Sequence, residues 1–282
     1  MTGRLLDYKR NKPQIKLRLV NETTVKFSSK NKLENIPVYD EGEVVVGDLI
    51  INGVQKHCGI QAEIIGSLEF AKETRGNRQV YYQRWMISEA TKSVASIKYL
   101  VESEALSDVQ DSYAGQAWRI RYYLKIKVMI SERKSIDKSI SIWVKRQNIM
   151  NIEPKSSCIN VGIVDSIDLD FVISKNIFKR DEFVVGEVGI NLCRIKLDYI
   201  EICIVKREIA FGEISDEILG KTEIVDGAVI RGEVIPFRFL LDNWSLGPTM
   251  KVDGGAVDWI FRLVVVDNCG RKYFKDLVVM LY

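Results

Sequence analysis

Residues 43–52 read EVVVGDLIIN, and residues 182–191 read EFVVGEVGIN. Glu43 aligns with Glu182 and Gly47 with Gly186, at an offset of 139 in a chain of 282 residues. A charge, a β-branched run and then a glycine read as a strand with a bulge or a close backbone approach at the glycine. Each block is followed by a second strand-like stretch, residues 60–66 in one case and 195–205 in the other. Two copies are too few for a solenoid, which needs at least three. They predict a duplicated sandwich, with an N-terminal domain over residues 1–150 and a C-terminal domain over 151–282. The polar stretch 147–157 (QNIMNIEPKSS), with Pro154 and no periodicity, is the expected linker.

Working outward, nearly every other apolar segment alternates with period two or is a short β-branched run, as in residues 15–20, 118–130, 140–144, 235–241 and 259–266. Isoleucine, valine, tyrosine and phenylalanine dominate these windows, and glycine, asparagine and aspartate punctuate them. The expected class is all-β, two tandem sandwiches. One stretch interrupts the pattern. In residues 88–106 (SEATKSVASIKYLVESEAL), Ala90, Val94, Ile97 and Val101 stand three or four apart. That spacing fits a short amphipathic helix over the first sandwich, and the alternative is a β-edge with a polar loop.

The content of 46% apolar and 28% charged residues is that of a globular chain, which excludes collagen-like, disulfide-scaffold and wholly disordered classes. No stretch has the apolar core of a signal peptide or the ~18 apolar residues of a spanning helix. The five cysteines (58, 158, 193, 203 and 269) are scattered and form no CxxC pair, so reduced and mostly buried thiols are expected. These features predict a cytoplasmic chain, at most peripheral to a membrane. The net charge of +3 conceals an asymmetry: residues 1–150 hold 25 basic and 17 acidic side chains, and the remainder 16 and 21. The basic half suggests an anionic partner surface, or else dispersed solvated charge. With no block of five basic residues, nothing reads as a nucleic-acid stripe.

Catalytic constellations are missing. There is one histidine, His57, and its neighbour Cys58 points away from it in any extended segment, so the two cannot form a nucleophile–base pair. Gly220-Lys221-Thr222 lacks the upstream glycine of a phosphate loop, because position 215 is serine, and reads as a polar inter-strand loop. Asp168 and Asp170 alternate with Ile167, Leu169 and Phe171, which predicts a solvated strand face rather than a cation cage. No enzyme activity, cofactor or metal is expected. Binding remains, through sheet edges or through apolar loops such as residues 221–231 (KTEIVDGAVIR), where Ile224 and Val225 stand in a polar setting before Asp226-Gly227.

Several segments resemble one family. EIVDGAVIRGEVIPFRFLL (223–241), GPTM (247–250) and VDNCGRKYFKDLVVML (266–281) are similar to the vacuolar protein sorting 26 family, the arrestin-fold subunit of retromer. The resemblance continues through residues 188–209, 163–186, 112–128 and 38–51, so it covers most of the chain in order. It implies two arrestin-like sandwiches and a non-enzymatic role in endosomal sorting of membrane cargo. It also implies partners: the helical-repeat subunit (vacuolar protein sorting-associated protein 35), sorting nexins, cargo cytoplasmic tails, and an endosomal membrane met peripherally.

The resemblance carries particular residues. Glu223, Ile224, Val225, Asp226 and Gly227 match the loop that meets the helical-repeat subunit, with Ile224 and Val225 as apolar anchors. Tyr273 and Phe274 of RKYFK match an aromatic pair at the pocket for an apolar cargo side chain, where cargo lies extended along a strand. Asp40 of VYDEGE matches an acidic position that holds a sorting nexin in some lineages, although an extra residue, Glu41 or Gly42, sits in that motif. The alternatives are an arrestin-like adaptor of another complex, either a retriever-type subunit or a receptor regulator, and a carbohydrate-binding or enzymatic β-sandwich. The last would need clustered exposed tryptophans, and the five here are widely spaced.

Overall fold

The structure is a computed structural model and describes residues 14–21, 23–29, 32–54, 56–71, 77–91, 97–147, 152–243 and 246–282. The chain divides into two compact units, Met1–Ala114 with Trp118–Gln147, and Gly115–Ala117 with Asn148–Tyr282. The first unit contains β1 (Gln14–Leu19), β2 (Thr24–Ser29), β3 (Lys32–Asp40), β4 (Val44–Asn52), β5 (Gly59–Phe70), β6 (Arg78–Ser88), β7 (Ile97–Ala105), β8 (Tyr113–Ala114), β9 (Trp118–Ser131) and β10 (Lys134–Lys145). The second contains β11 (Ser157–Ile163), β12 (Ile167–Ile173), β13 (Ile177–Phe178), β14 (Phe183–Cys193), β15 (Leu197–Ala210), β16 (Glu213–Asp226), β17 (Val234–Leu240), β18 (Met250–Val252), β19 (Gly255–Asp267) and β20 (Lys272–Leu281).

Each unit is a two-sheet sandwich. The first has a sheet ordered β1-β4-β7 and a larger one ordered β2-β3-β10-β9-β5-β6, with β8 on β9. The second has β11-β12-β14-β17 and β13-β20-β19-β15-β16, with β18 on β19. The duplication extends to detail. The C-terminal end of β3 pairs in parallel with β10, Val38 opposite Trp143, as β13 pairs with β20, Ile177 opposite Met280. All other pairings are antiparallel, so the same crossover is built twice. Alternate residues form the cores. On β9 these are Trp118, Ile120, Tyr122, Leu124, Ile126 and Val128, and on β19 Val257, Trp259, Phe261, Leu263 and Val265.

The repeated sequence blocks have a definite structural meaning. Gly47 and Gly186 are points of close strand approach. A Cβ at Gly47 would lie 2.8 Å from the Arg18 carbonyl oxygen, and one at Gly186 would overlap the Val172 carbonyl oxygen and the Phe237 ring. The repeated glutamate closes the turn that precedes the strand. The Asp40 amide donates to Glu43 Oε2 (2.8 Å) while the Glu43 amide donates to the Asp40 carbonyl (3.0 Å). Lys179 and Glu182 repeat this at 3.0 and 3.1 Å. A third copy, unnoticed in the sequence, joins Ile230 to Glu233 at 2.9 and 3.0 Å. Gly42 and Gly232 occupy the third position of two of these turns at φ +90° and +83°, where a side chain is strained.

The helix considered for residues 88–106 is overturned: Ile97–Ala105 is strand β7, and residues 92–96 lie outside the described ones. Pairing with β4 decides it. Val101 is buried opposite Gly47, and a bulge between Val44 and Val46 frees the Val45 amide, which donates to Ser103 Oγ at 2.9 Å. A helix would leave the β4 edge unpaired. The cysteines also differ from expectation: Cys58, Cys158 and Cys269 are exposed, Cys193 is half-buried, and Cys203 alone is buried, all as free thiols.

Candidate interaction surfaces

The residues weighed for catalysis stand apart from one another in the structure. His57 is buried, its Nε2 2.9 Å from the Tyr99 hydroxyl, while Cys58 is exposed. Burial lowers the His57 pKa, so the ring is neutral at neutral pH. Gly220-Lys221-Thr222 lies inside β16, not in a loop, and Lys221 Nζ bonds Glu201 Oε1 at 3.0 Å. Asp168 and Asp170 share the outward face of β12 and both accept from the Asn160 amide. Among the described residues no group of three His, Cys, Asp or Glu side chains is placed to hold a metal, and no helix is long and apolar enough to cross a membrane.

The Glu223–Gly227 corner ends β16. Val225 pairs with Ile200 and Asp226 with Tyr199, and the Gly227 amide donates to the Asp198 carbonyl at 2.7 Å. Ile224 and Val225 are therefore half-buried strand-end residues rather than a protruding tip. The loop itself is residues 227–233, shorter than the 221–231 read from sequence. Its protruding apolar residue is Ile230, 75% exposed, held by the Glu233 turn. Sequence reasoning passed over Ile230; the signal was the Gly-Glu pair that follows Arg231, a copy of the Gly42-Glu43 turn.

Tyr273 and Phe274 are neighbours in β20 and so face opposite sides of the sheet. Tyr273, opposite Val265, donates its hydroxyl to Asp267 Oδ2 at 3.2 Å. The buried Asp267 carboxylate also accepts from the Cys269 and Arg271 amides (both 2.9 Å) and from Arg271 Nε (2.7 Å), which fixes the β19–β20 hairpin. Phe274, opposite Val264, is 59% exposed, with the Arg262 guanidinium 4.8 Å from its ring centre. The two rings do not line one pocket.

Arg262 belongs to a ladder across four strands. It bonds Asp276 through Nε (2.6 Å) and Nη2 (2.9 Å) and reaches Asp216 at 3.1 Å. Arg207 bonds Asp216 in bidentate fashion (2.7 and 2.8 Å) and Asp276 at 3.2 Å. The guanidinium of Arg262 holds the Asp276 carboxyl, and that of Arg207 the Asp216 carboxyl, below the usual carboxylate range. Charge is therefore locked in place beside Phe274.

The edge of β20 next to Phe274 is unpaired, with β11 of the facing sheet packed near the strand. β13 meets β20 only at Met280 and Leu281, so among the described residues no strand pairs on that side of residues 272–279. The Met280 and Tyr282 amides donate toward β13, to the Asn176 and Phe178 carbonyls at 2.9 and 3.1 Å. By the two-residue period, Phe274, Asp276 and Val278 present their backbone groups to the same edge.

Asp40 is half-buried at the end of β3, opposite Lys145, and its amide is engaged in the Glu43 turn. The extra residue of the motif is absorbed in that turn, which Glu41 and Gly42 form. On the outer face of the large first-unit sheet three bases are matched: Arg84 meets Gln61 (2.6 Å) and Glu63 (3.7 Å), Arg119 meets Glu69, and Lys125 meets Asp137 (3.3 Å). This supports dispersed, compensated charge on that face over a positive docking field.

Two β-sandwiches with unpaired sheet edges, and a fixed ion-pair ladder beside one of those edges, define the class: an all-β tandem sandwich. Comparison with known proteins gives the family. A family model for vacuolar protein sorting-associated protein 26 matches residues 10–270. A protein of that name from Caenorhabditis elegans is 30% identical over 287 residues, covering 95% of this chain and 80% of its own length. One from Dictyostelium discoideum is 31% identical, covering 93% and 78%, and vacuolar protein sorting-associated protein 26B from Homo sapiens is 30% identical, covering 89% and 78%. The chain belongs to the vacuolar protein sorting-associated protein 26 family.

Proposed function

We propose that this chain is the arrestin-fold subunit of a retromer-type complex, a non-enzymatic sorting component on endosomal membranes. In this reading the second sandwich binds the helical-repeat subunit at the Glu223–Gly227 corner, and sorting nexins help it select cargo tails, with Asp40 a contact for one of them. The observation that carries it is the open β20 edge beside an exposed, cation-braced Phe274, in a chain of this family. An extended cargo segment adding to that edge gains main-chain bonds from Phe274, Asp276 and Val278, and Phe274 receives its apolar side chain. Because Tyr273 faces away, its role is to hold the hairpin through Asp267.

Ile224 and Val225 are already half-buried, so a partner that completes their burial gains on the order of 1 kcal/mol from each. The test is co-purification with the vacuolar protein sorting-associated protein 35-type subunit, using the full chain and a variant carrying Ile224→Asp and Val225→Asn. Binding by the unmodified chain and its loss in a folded variant is expected. Undiminished binding by the variant removes the corner from the interface, and no binding by the unmodified chain removes the retromer reading.

A further inference from the structure

β6 is the outer strand of the large sheet in the first unit, and the function proposed above leaves its edge unused. It pairs with β5 from Ile60 opposite Ser88 to Leu68 opposite Arg78, and among the described residues no strand pairs on its other side. β7 of the facing sheet passes near it but pairs with β4. An unpaired edge invites an added strand, and chains usually blunt such edges with proline, lysine or other charge. Pro236 does this in β17, and the exposed Lys16 and Arg18 do it on β1. β6, which reads RQVYYQRWMIS, has neither proline nor lysine. Its two arginines are engaged: the Arg78 guanidinium lies 5.6 Å from the centre of the Phe70 ring, and Arg84 meets Gln61 and Glu63.

Alternation gives the strand two unlike faces. Tyr81, Gln83 and Trp85 stand opposite Gly66, Ile64 and Ala62, and the last two are fully buried, so these three side chains turn toward the core. The inward face is chemically unfinished. Gln83 Oε1 and Trp85 Nε1 are both buried without a hydrogen-bond partner. One is an acceptor lacking a donor and the other a donor lacking an acceptor, about 7 Å apart along the strand. Buried polar atoms are nearly always paired, so each defines what a neighbour on this edge has to bring. Trp118 and Trp259 also hold unpaired indole nitrogens, but both are fully buried on central strands.

Tyr82, Arg84 and Met86 turn outward, and Tyr82 and Met86 are 46% and 48% exposed. Tyr82 stands opposite Ile65, which stands opposite Tyr123, so an apolar row crosses the sheet and stops at the edge. Arg84, beside it, keeps half of its side chain exposed.

We propose that β6 docks an extended segment of a partner protein, added antiparallel, whose successive side chains run apolar, any, acidic, amide, apolar. The asparagine or glutamine faces Gln83. Its amino group donates to Gln83 Oε1, and its oxygen accepts from Trp85 Nε1 across the diagonal, within reach of a long side chain. One carboxamide therefore meets both unpaired atoms, which neither a carboxylate nor an ammonium can do. The acidic residue faces Arg84, and the apolar residues extend the Tyr82 row and cover Met86. Main-chain bonds supply affinity and these side chains supply selectivity. The inference stands apart from the retromer reading and does not depend on it.

An end-blocked synthetic peptide of order lysine–valine–threonine–aspartate–glutamine–valine–threonine–lysine tests it. The peptide is titrated into the full chain by calorimetry and by NMR of the indole protons, with Trp85→Phe identifying the Trp85 signal among the five tryptophans. Saturable binding is expected, with the Trp85 indole proton moved downfield and slower amide exchange confined to β6. Leucine in place of the peptide's glutamine, and Gln83→Leu in the chain, should each weaken binding at least fivefold, circular dichroism confirming that the variant is folded. Absence of saturable binding overturns the proposal. So does binding that ignores both replacements, or that leaves the Trp85 signal and β6 exchange unchanged, because the peptide then sits elsewhere. Sedimentation of the chain alone supplies a further refutation: if dimers form and β6 becomes protected as they do, a second copy takes the edge and the partner segment does not.

Discussion

Alanine substitution at three glycines should sort by distance alone. At Gly186 the new methyl group overlaps both the Val172 carbonyl oxygen and the Phe237 ring, so β12 and β14 must part or the ring must leave its place between Phe171 and Phe239. Overpacking of this kind costs about 1–3 kcal/mol, and a weakened ladder hydrogen bond about 1 more. Taking about 3 kcal/mol, and 2–4 °C per kcal/mol for a chain of this size, Gly186→Ala lowers Tm by about 6–12 °C. At Gly47 the methyl group meets the Arg18 oxygen at 2.8 Å and the movable Leu19 Cδ2 at 3.0 Å, so the expected loss is smaller, about 1–2 kcal/mol. At Gly189 only the Asp170 Cβ stands near, at 3.8 Å, and alanine is neutral or stabilises by up to about 1 kcal/mol through the unfolded chain. Thermal unfolding gives the ranking, and amide hydrogen exchange gives the place: protection should fall in β12, β14 and β17 for Gly186→Ala and in β1, β4 and β7 for Gly47→Ala. Equal losses at Gly186 and Gly189, or an unchanged Tm for Gly186→Ala, would refute the close-approach reasoning.

Other outcomes can be stated briefly. Because His57 is the chain's one histidine, its ring proton gives an unambiguous NMR titration, and the midpoint should lie below the ordinary 6.5. Its neutral form then adds stability above pH 6.5 that is lost as pH falls through the lower folded value; a midpoint above 6.5 contradicts the burial argument. Asp216 and Asp276 are held below 3.8 by the two arginines, so their contribution is present above that value and disappears as pH falls through the lowered values. Asp276→Asn should therefore lower Tm at neutral pH and flatten the acid limb of the Tm–pH curve; an unaltered acid limb would show that the ladder is idle. Phe274→Ser should leave Tm within about 2 °C, since surface changes are usually within ±0.5 kcal/mol, while cargo-peptide binding is lost. Tyr273→Phe should instead reduce hairpin protection and spare binding, and the reverse pattern would exchange the roles given to the two rings.

Much of the fold could be read in advance because β-branched alternation and a repeated Val-Val-Gly block report local geometry. The reading failed at β7. There the three-to-four spacing of Ala90, Val94, Ile97 and Val101 is real, but the β4 edge needed a partner, and Ser103 supplied an acceptor for the amide freed by its bulge. The same limit applied to the candidate surfaces. Ile224 and Val225 carried the resemblance, yet strand pairing half-buries them and leaves Ile230 protruding, a difference that hydropathy cannot rank. Tyr273 and Phe274 read as one aromatic pair until strand alternation put them on opposite faces.

The sequence by itself determined the class, the duplication, the need for glycine at positions 47 and 186, and the family. All of these depend on residues near one another in the chain or on patterns along it. Tertiary structure alone decided the Arg207–Asp216–Arg262–Asp276 ladder, the open edge of β20 and the unpaired edge of β6 with Gln83 and Trp85 turned to the core. The physical reason is register: these features join strands separated by tens of residues, and a slip of one residue in any pairing would turn each side chain to the opposite face.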